Sequence, residues 1–454
     1  MHSLRNCYKN LKSKYLVKKD YSLSHQVNFQ KHKDLPIHRW LKYREGYSVK
    51  LVQNTINELG IKGAVFDPFL GSGTTTYASA LLGLKSYGIE INPFPAFVSE
   101  VKTRKYENYF INNFEKLLPK ILRNNQPVKK PELRIIDKAF NKNVLKSLLV
   151  IKANIDKIKK PKEKKLAFFI WLSIIEEVSN TFKEGNGIKY KGKFGHKRPP
   201  RKDSSSYKEY QKKLKKCQDN DGWESKDVNK TYQRRFYQVL EDLHSVDYSS
   251  LVEPEVIIGN AKNLKKHLID SSQDFPGISL TIFSPPYANC FDYYEIFKLE
   301  LWLGGFINSY DDFKKHRRES MVSNLNANLN DIFYENGSLN ILLDNINIKK
   351  LWDKRIIDML KGYFRDMSTT LNELWQVTNN MGYVVIVVAN SSYGDVIIPT
   401  DLLLAEIGEN IGFKVIKIVE ARSTNSSSQQ MKRYKALNLD TSLLRESVVY
   451  LQKL

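Results

Sequence analysis

Cysteine is scarce in this chain. Its 454 residues hold three, Cys7, Cys217 and Cys290, far apart and with no Cys-x-x-Cys pair. That spacing offers neither a disulfide framework nor a zinc site, so no metal is expected and a reducing compartment fits. Long apolar runs are missing as well. The most hydrophobic stretch, LAFFIWLSII at 166–175, runs straight into Glu176 and Glu177 and falls far short of the ~20 residues a membrane-spanning helix needs. It reads as one buried helix. The first residues, MHSLRNCYKNLKSKYLVKKD, contain no apolar core of signal-peptide length, which points to a cytoplasmic protein with no membrane partner. Negative charge is short too: 49 Asp and Glu stand against 72 Lys and Arg, a formal net charge of +23. With 41% hydrophobic and 12% aromatic residues the chain is globular. A surplus of that size favours a polyanionic partner, nucleic acid ahead of an anionic membrane. A general lysine bias would produce the same surplus without a partner.

What is present has the rhythm of an α/β sheet in two stretches. In the first, from about 63 to 100, AVFDPF reads as a strand and TTTYASALLGL as a helix. KSYGIEI is a second strand, and Pro93 opens the next helix. In the second, from about 255, PEVIIG, SLTIFS and YVVIVVAN read as strands and DYYEIFKLELWLGG as a helix. DLLLAEIGENIG, FKVIKIVEA and ESVVYLQ then follow as helix, strand, strand. Together these predict a doubly wound, mostly parallel sheet that ends in two adjacent strands and binds its ligand at the carboxyl ends of the strands. The chain therefore divides into 1–100 with the first half of the sheet, an insertion at 101–250, and 251–454 with the second half. The insertion holds 36 Lys and Arg against 18 Asp and Glu, most of the surplus of the whole chain. Its first part has helical spacing. Its second, EGNGIKYKGKFGHKRPPRKDSSSYKEYQKKLKK, is broken by Gly and Pro, basic and interleaved with tyrosine. A further segment, 306–350, is Asn-rich and carries HRRES; it reads as a long loop with some helix.

Two short motifs carry chemistry. DPFLGSGTT, Asp67 to Thr75, is a strand ending in an acid followed by a Gly71-Ser72-Gly73 turn. Glycine there lets bare backbone approach a ligand at a helix N-terminus. The turn has no Gly-Lys-Ser/Thr, which excludes a triphosphate. An acid beside it suits a cation, either an ammonium group or a sulfonium. Glu90 ends the next strand, placed to accept both hydroxyls of a ribose, and Asn260 ends the third, where its amide can read an adenine. Each alone is equally a structural turn or a solvated strand end. The second motif is SPPY, Ser284 to Tyr287, directly after the fourth strand. Two prolines remove two donors and fix an extended path. They leave carbonyl acceptors between a hydroxyl and a ring, a clamp for an amino group on a flat base.

In combination these motifs resemble the amino-methyltransferase family of S-adenosylmethionine-dependent DNA methyltransferases. DPFLGSGTT resembles its cofactor loop, GIEINP its ribose acid and SPPY its catalytic tetrapeptide; IHRWLKYREGYSVKLV at 37–52 is similar to the segment that closes over the methionine part. The likeness covers roughly 37–100 and 250–454. It implies a Rossmann-like, seven-stranded methyltransferase sheet carrying a large, mainly helical basic insertion. It also implies S-adenosylmethionine held by Tyr43, Asp67, Phe69, Gly71, Gly73, Thr74, Thr75, Glu90, Asn92 and Asn260. Catalysis is expected from Ser284, Pro285, Pro286 and Tyr287, with a base flipped out of double-stranded DNA and stacked on Tyr287. Serine at the head of the tetrapeptide is commoner among cytosine-N4 members, so that base is expected over adenine-N6, in a restriction–modification system with a cognate endonuclease. Family members usually place target recognition elsewhere. The charge of the insertion nonetheless suits DNA contact, expected at Lys193, Lys197, Arg198, Arg201 and Lys202. Carbon-5 cytosine methylation needs a cysteine nucleophile after proline; Cys290 follows Asn289 and reads as structural. Two competing readings stay open: an RNA amino-methyltransferase, and a DNA-binding protein on a retired sheet.

Overall fold

A sheet of mostly parallel strands, joined by helices, forms the middle of the molecule. The computed structural model describes residues 2–28, 35–41, 43, 46–185, 187–191, 200–216, 226–271, 275–330, 332–424, 434, 436–437 and 440–454. Its strands are β1 (Val17–Lys19), β2 (Val65–Asp67), β3 (Ser86–Glu90), β4 (Thr181–Glu184), β5 (Gly187–Tyr190), β6 (Glu255–Ile258), β7 (Ile278–Phe283), β8 (Thr378–Ala389), β9 (Ser391–Tyr393), β10 (Val396–Ile398), β11 (Lys414–Ser423) and β12 (Arg445–Gln452). Eight of these make one sheet in the order β1-β11-β12-β8-β7-β2-β3-β6. The run from β8 to β6 is parallel, and β12 lies antiparallel to both β8 and β11. This is the doubly wound sheet expected from the sequence, with one strand added. The eighth, β1, pairs parallel with β11 through Val17 and Ile418. The order reverses between β2 and β7, so the loops that follow those two strands, Asp67–Thr75 and Ser284–Tyr287, open side by side at the switch point where such sheets bind ligands.

Burial explains the composition of the central strands. A strand covered on both faces is apolar at consecutive positions, as VVIVV of β8 is. Alternate side chains feed two cores: Val385 and Val387 face one, Val384, Ile386 and Val388 the other. The first core continues into the insertion through Phe169 and Trp171 of helix Pro161–Val178 and Phe236 of helix Val228–Ser245. LAFFIWLSII is thus a buried helix, and its Trp171 Nε1 donates to the Leu148 carbonyl at 2.8 Å. Helices Asn108–Glu115, Leu118–Ile121, Arg134–Ala139, Lys142–Asp156 and Ser205–Lys216 complete the helical part among the described residues. β4 and β5 form an antiparallel ribbon that leads into the Gly/Pro-broken, basic stretch. The helix expected after SPPY is two, Tyr293–Ile296 and Lys298–Leu303, parted at Phe297. Among the described residues no helix is long and apolar enough to cross a membrane, and no cluster of three metal-ligating side chains occurs.

One polar knot holds the end of the sheet. Asp401, fully buried at the start of helix Thr400–Ile411, accepts from Asn390 Nδ2 at 2.8 Å, Arg445 Nε at 2.7 Å and Ser447 Oγ at 2.8 Å. Removing one partner of a buried pair strands the other charge. Asp401→Ala should therefore lower the unfolding free energy by about 3–5 kcal/mol in urea titration; a loss under 1 kcal/mol would mean that Arg445 finds water.

Candidate active site

The residues after β2 fold back on their own acid. Asp67 is 2% exposed, and its carboxylate accepts from Tyr47 Oη at 2.9 Å, Thr75 Oγ1 at 2.7 Å and the Phe69 amide at 3.0 Å. Burial still pushes its pKa up to about 6. Tyr47 and Thr75 also hydrogen-bond each other, and both hydroxyls lie within hydrogen-bond distance of the Ile282 carbonyl near the end of β7. Gly71 has φ 52°, and a Cβ there would stand 3.0 Å from the Tyr43 ring, so Tyr43 lies directly over the turn. Gly73, at φ 84°, serves a different contact. A Cβ there would meet Ser99 Oγ at 2.3 Å, so this glycine lets helix Pro93–Lys102 close on helix Thr74–Leu81. Behind the turn, the buried Lys102 donates to the Ser72 carbonyl at 2.9 Å, and burial lowers its pKa to about 7.

Glu90 ends β3 facing the same turn. Its Oε2 accepts from the Gly71 amide and its Oε1 from the Asn92 amide, both at 2.8 Å. Desolvation pushes the carboxyl up to about 7. Asn92 caps helix Pro93–Lys102 through its Oδ1, which accepts from the Phe94 amide, while its buried Nδ2 has no partner. Asn260, beyond β6, accepts from the Lys262 amide at 3.0 Å and donates to the Glu319 carbonyl at 2.8 Å.

All of these meet the loop after β7 in one cavity. It is lined by Tyr43, Asp67, Phe69, Gly71, Thr74, Glu90, Asn92 and Asn260 together with Ser284 and Pro286. Four residues singled out from the sequence are not on the lining: Gly73, Thr75, Pro285 and Tyr287. Tyr287 is held from behind. Ser284 Oγ donates to its hydroxyl at 3.4 Å, and that hydroxyl donates to Glu446 Oε1 at 2.7 Å, with Arg422 on the other carboxylate oxygen. Cys290 is buried with its thiol pushed up by desolvation, the opposite of an activated nucleophile. Lys193, Lys197 and Arg198 lie outside the described residues; Arg201 and Lys202 are exposed and off the cavity.

Two contributions escaped the sequence reading. Tyr47 sits in the segment quoted for its likeness, but only its bond to Asp67 reveals the role. The other is a wall built by the Asn-rich segment: Arg317, Ser320, Met321, Ser323 and Asn324 line the cavity, and Arg317 pairs with Asp292 at the start of helix Tyr293–Ile296. The motif HRRES was the available signal.

The cavity fits an adenosyl cation. Each oxygen of Glu90 keeps acceptor capacity beyond its one backbone partner, Asn92 offers an unused donor, and the Tyr43–Gly71 slot admits chain but no Cβ. A ligand of that kind beside a serine and a rigid proline defines the class: a methyltransferase that uses S-adenosylmethionine. The comparisons narrow it. The DNA methylase family of N6/N4 type matches residues 8–96. The Type II methyltransferase M.BsoBI of Geobacillus stearothermophilus is 29% identical over 459 residues, covering 92% of this chain and 86% of that one. M.AvaI of Nostoc sp. is also 29% identical, over 89% and 85%. M.MvaI of Kocuria varians is 25% identical, over 76% and 73%. The chain is thus similar over most of its length to Type II DNA methyltransferases, and over residues 8–96 to the N6/N4 DNA methylase family.

A raised Glu90 pKa has a defined sign. Below about pH 7 the carboxyl is protonated and loses acceptor strength toward hydroxyls, so cofactor affinity by calorimetry should fall several-fold from pH 8 to pH 6. Glu90→Gln should flatten that dependence, and an equally steep profile in the variant would assign it to another group. Pro286→Ala and Tyr287→Phe should cut methyl transfer at least tenfold while leaving cofactor affinity within twofold; parallel loss of binding would contradict the separation.

Proposed function

We propose that the protein methylates the N4 amino group of a cytosine within a specific sequence of duplex DNA, the base being flipped out of the helix. The observation that carries this is the sharing of one cavity by Ser284 and Pro286 with Asp67, Gly71 and Glu90. S-adenosylmethionine, when bound, supplies a methyl group activated by its sulfonium. Tyr43, Asp67, Phe69, Gly71, Thr74, Glu90, Asn92 and Asn260 are proposed to hold it, with Gly73 and Thr75 shaping the turn.

The amino group of a base is a poor nucleophile, because its lone pair is delocalised into the ring. Ser284 and the Pro285 carbonyl would accept its two hydrogens, favouring a pyramidal nitrogen whose lone pair points at the methyl carbon. Ser284 is arranged to accept: its own hydrogen is directed at Tyr287, and Tyr287 is directed at Glu446. Tyr287 thus acts as a positioning residue. Transfer would break the sulfur–methyl bond, form the nitrogen–methyl bond and release one amino hydrogen as a proton to solvent; it would depend on orientation, with no covalent enzyme intermediate. An atom on the pairing edge is out of reach inside a duplex, which is the reason for flipping.

The insertion supports DNA as the acceptor through its 36 basic against 18 acidic residues, with Arg201 and Lys202 among the proposed phosphate contacts. Serine at the head of the tetrapeptide favours cytosine over adenine. The Type II names of the relatives support a place in a restriction–modification system, protecting a recognition sequence from a cognate endonuclease. Incubation with labelled cofactor should transfer label to duplex DNA and not to tRNA; transfer to RNA alone would overturn the assignment. Modified-base sequencing of DNA from expressing cells should show N4-methylcytosine at one short motif. N6-methyladenine would instead overturn the choice of base.

A further inference from the structure

A second cavity, of about 390 Å³, adjoins the first, within the roughly 300–1,000 Å³ common for ligand sites. Tyr43 and Tyr293 line both. The insertion supplies one side of it and the segment Phe291–Glu300, just after the tetrapeptide, the other. Two polar atoms of lining residues are buried without a hydrogen-bond partner: Glu300 Oε2, an acceptor, and Arg235 Nε, a donor. The Glu300 side chain is 3% exposed, and its other oxygen takes Lys183 Nζ at 2.5 Å.

An unsatisfied buried polar group costs about 1–3 kcal/mol, so these atoms call for a ligand carrying both an N–H and an oxygen acceptor. Lys183 already balances the charge of Glu300, which leaves little gain for a free cation and favours an uncharged amino group; the imide N–H of thymine is flanked by two carbonyl oxygens that a carboxylate would repel. Phe291 and Tyr293, edge to face at 4.8 Å, and Phe297 give the cavity aromatic walls, which suit a flat ring. Basic side chains outnumber carboxylates on the lining by five to three, which suits a phosphate. We infer that this cavity is a second nucleotide site, taking an amino-bearing nucleobase with its N–H on Glu300 and its phosphate toward the basic lining. The inference rests on the reading that DNA crosses this face, and it gives the insertion a direct part in base recognition.

The test uses the full chain saturated with S-adenosylhomocysteine, so that the first cavity is filled, and titrates dCMP, dAMP and dTMP by calorimetry. The amino nucleotides should bind at least fivefold tighter than dTMP. Because the position beside Ser284 also takes an amino base, the Glu300 variant decides the matter. Glu300→Gln can still accept from Lys183 while turning a donor toward the cavity, so the preference should vanish or shift to dTMP, with S-adenosylhomocysteine affinity within twofold. Phe291→Leu leaves the Lys183–Glu300 pair in place and should weaken all three nucleotides alike; an unchanged thermal midpoint in both variants excludes misfolding. Equal binding of the three nucleotides by the parent protein, or undiminished discrimination in Glu300→Gln, would overturn the inference. The readout is binding and not methylation, so failure of the DNA assignment shows separately, as no label transferred to duplex by the parent protein.

Discussion

The Asp67 carboxylate ties the two halves of the site into one piece. A buried carboxylate is costly unless its oxygens are bonded, and here Tyr47, Thr75 and the Phe69 amide all converge on it. Tyr47 and Thr75 reach on to the Ile282 carbonyl, two residues before Ser284. The turn after β2 and the loop after β7 are therefore held in register by a single hydrogen-bonded cluster, at the point where the strand order reverses. Methyl transfer depends on placing donor and acceptor along one line, and small errors of position are expensive. This cluster fixes the spacing of the two loops.

A second buried acid couples the insertion to the same place. Asp242, on helix Val228–Ser245, accepts from the Ile37 amide, from Arg39 and from Trp40 Nε1. That anchors the segment leading to Tyr43, whose ring covers Gly71. The basic insertion thus packs into the core of the sheet and grips the strap over the turn.

The parallel strands and both loops were legible in the sequence because their signals are local. VVIVV marks a strand buried on both faces, glycine marks a turn, and Pro-Pro fixes a path. What escaped was set by partners far along the chain. Tyr47 gains its meaning from Asp67 and Ile282, and Arg317 from Asp292, 25 residues earlier. β1 is three residues long and takes its conformation from β11, so no periodicity announces it. The placement of Tyr287 off the cavity lining follows from Glu446, 159 residues away, which no reading of SPPY alone supplies. Glu300 lies in the stretch read as a helix, where nothing local marks the Lys183 that the insertion brings against it.

The reaction to be tested is methyl transfer to an exocyclic nitrogen of DNA. Mass spectrometry of nucleosides released from duplex DNA after reaction with the purified protein and S-adenosylmethionine tests it most directly. The expected product is N4-methyldeoxycytidine, lost when Pro286 is replaced by alanine. Methyl on carbon 5 of cytosine, or product undiminished by that replacement, would contradict it.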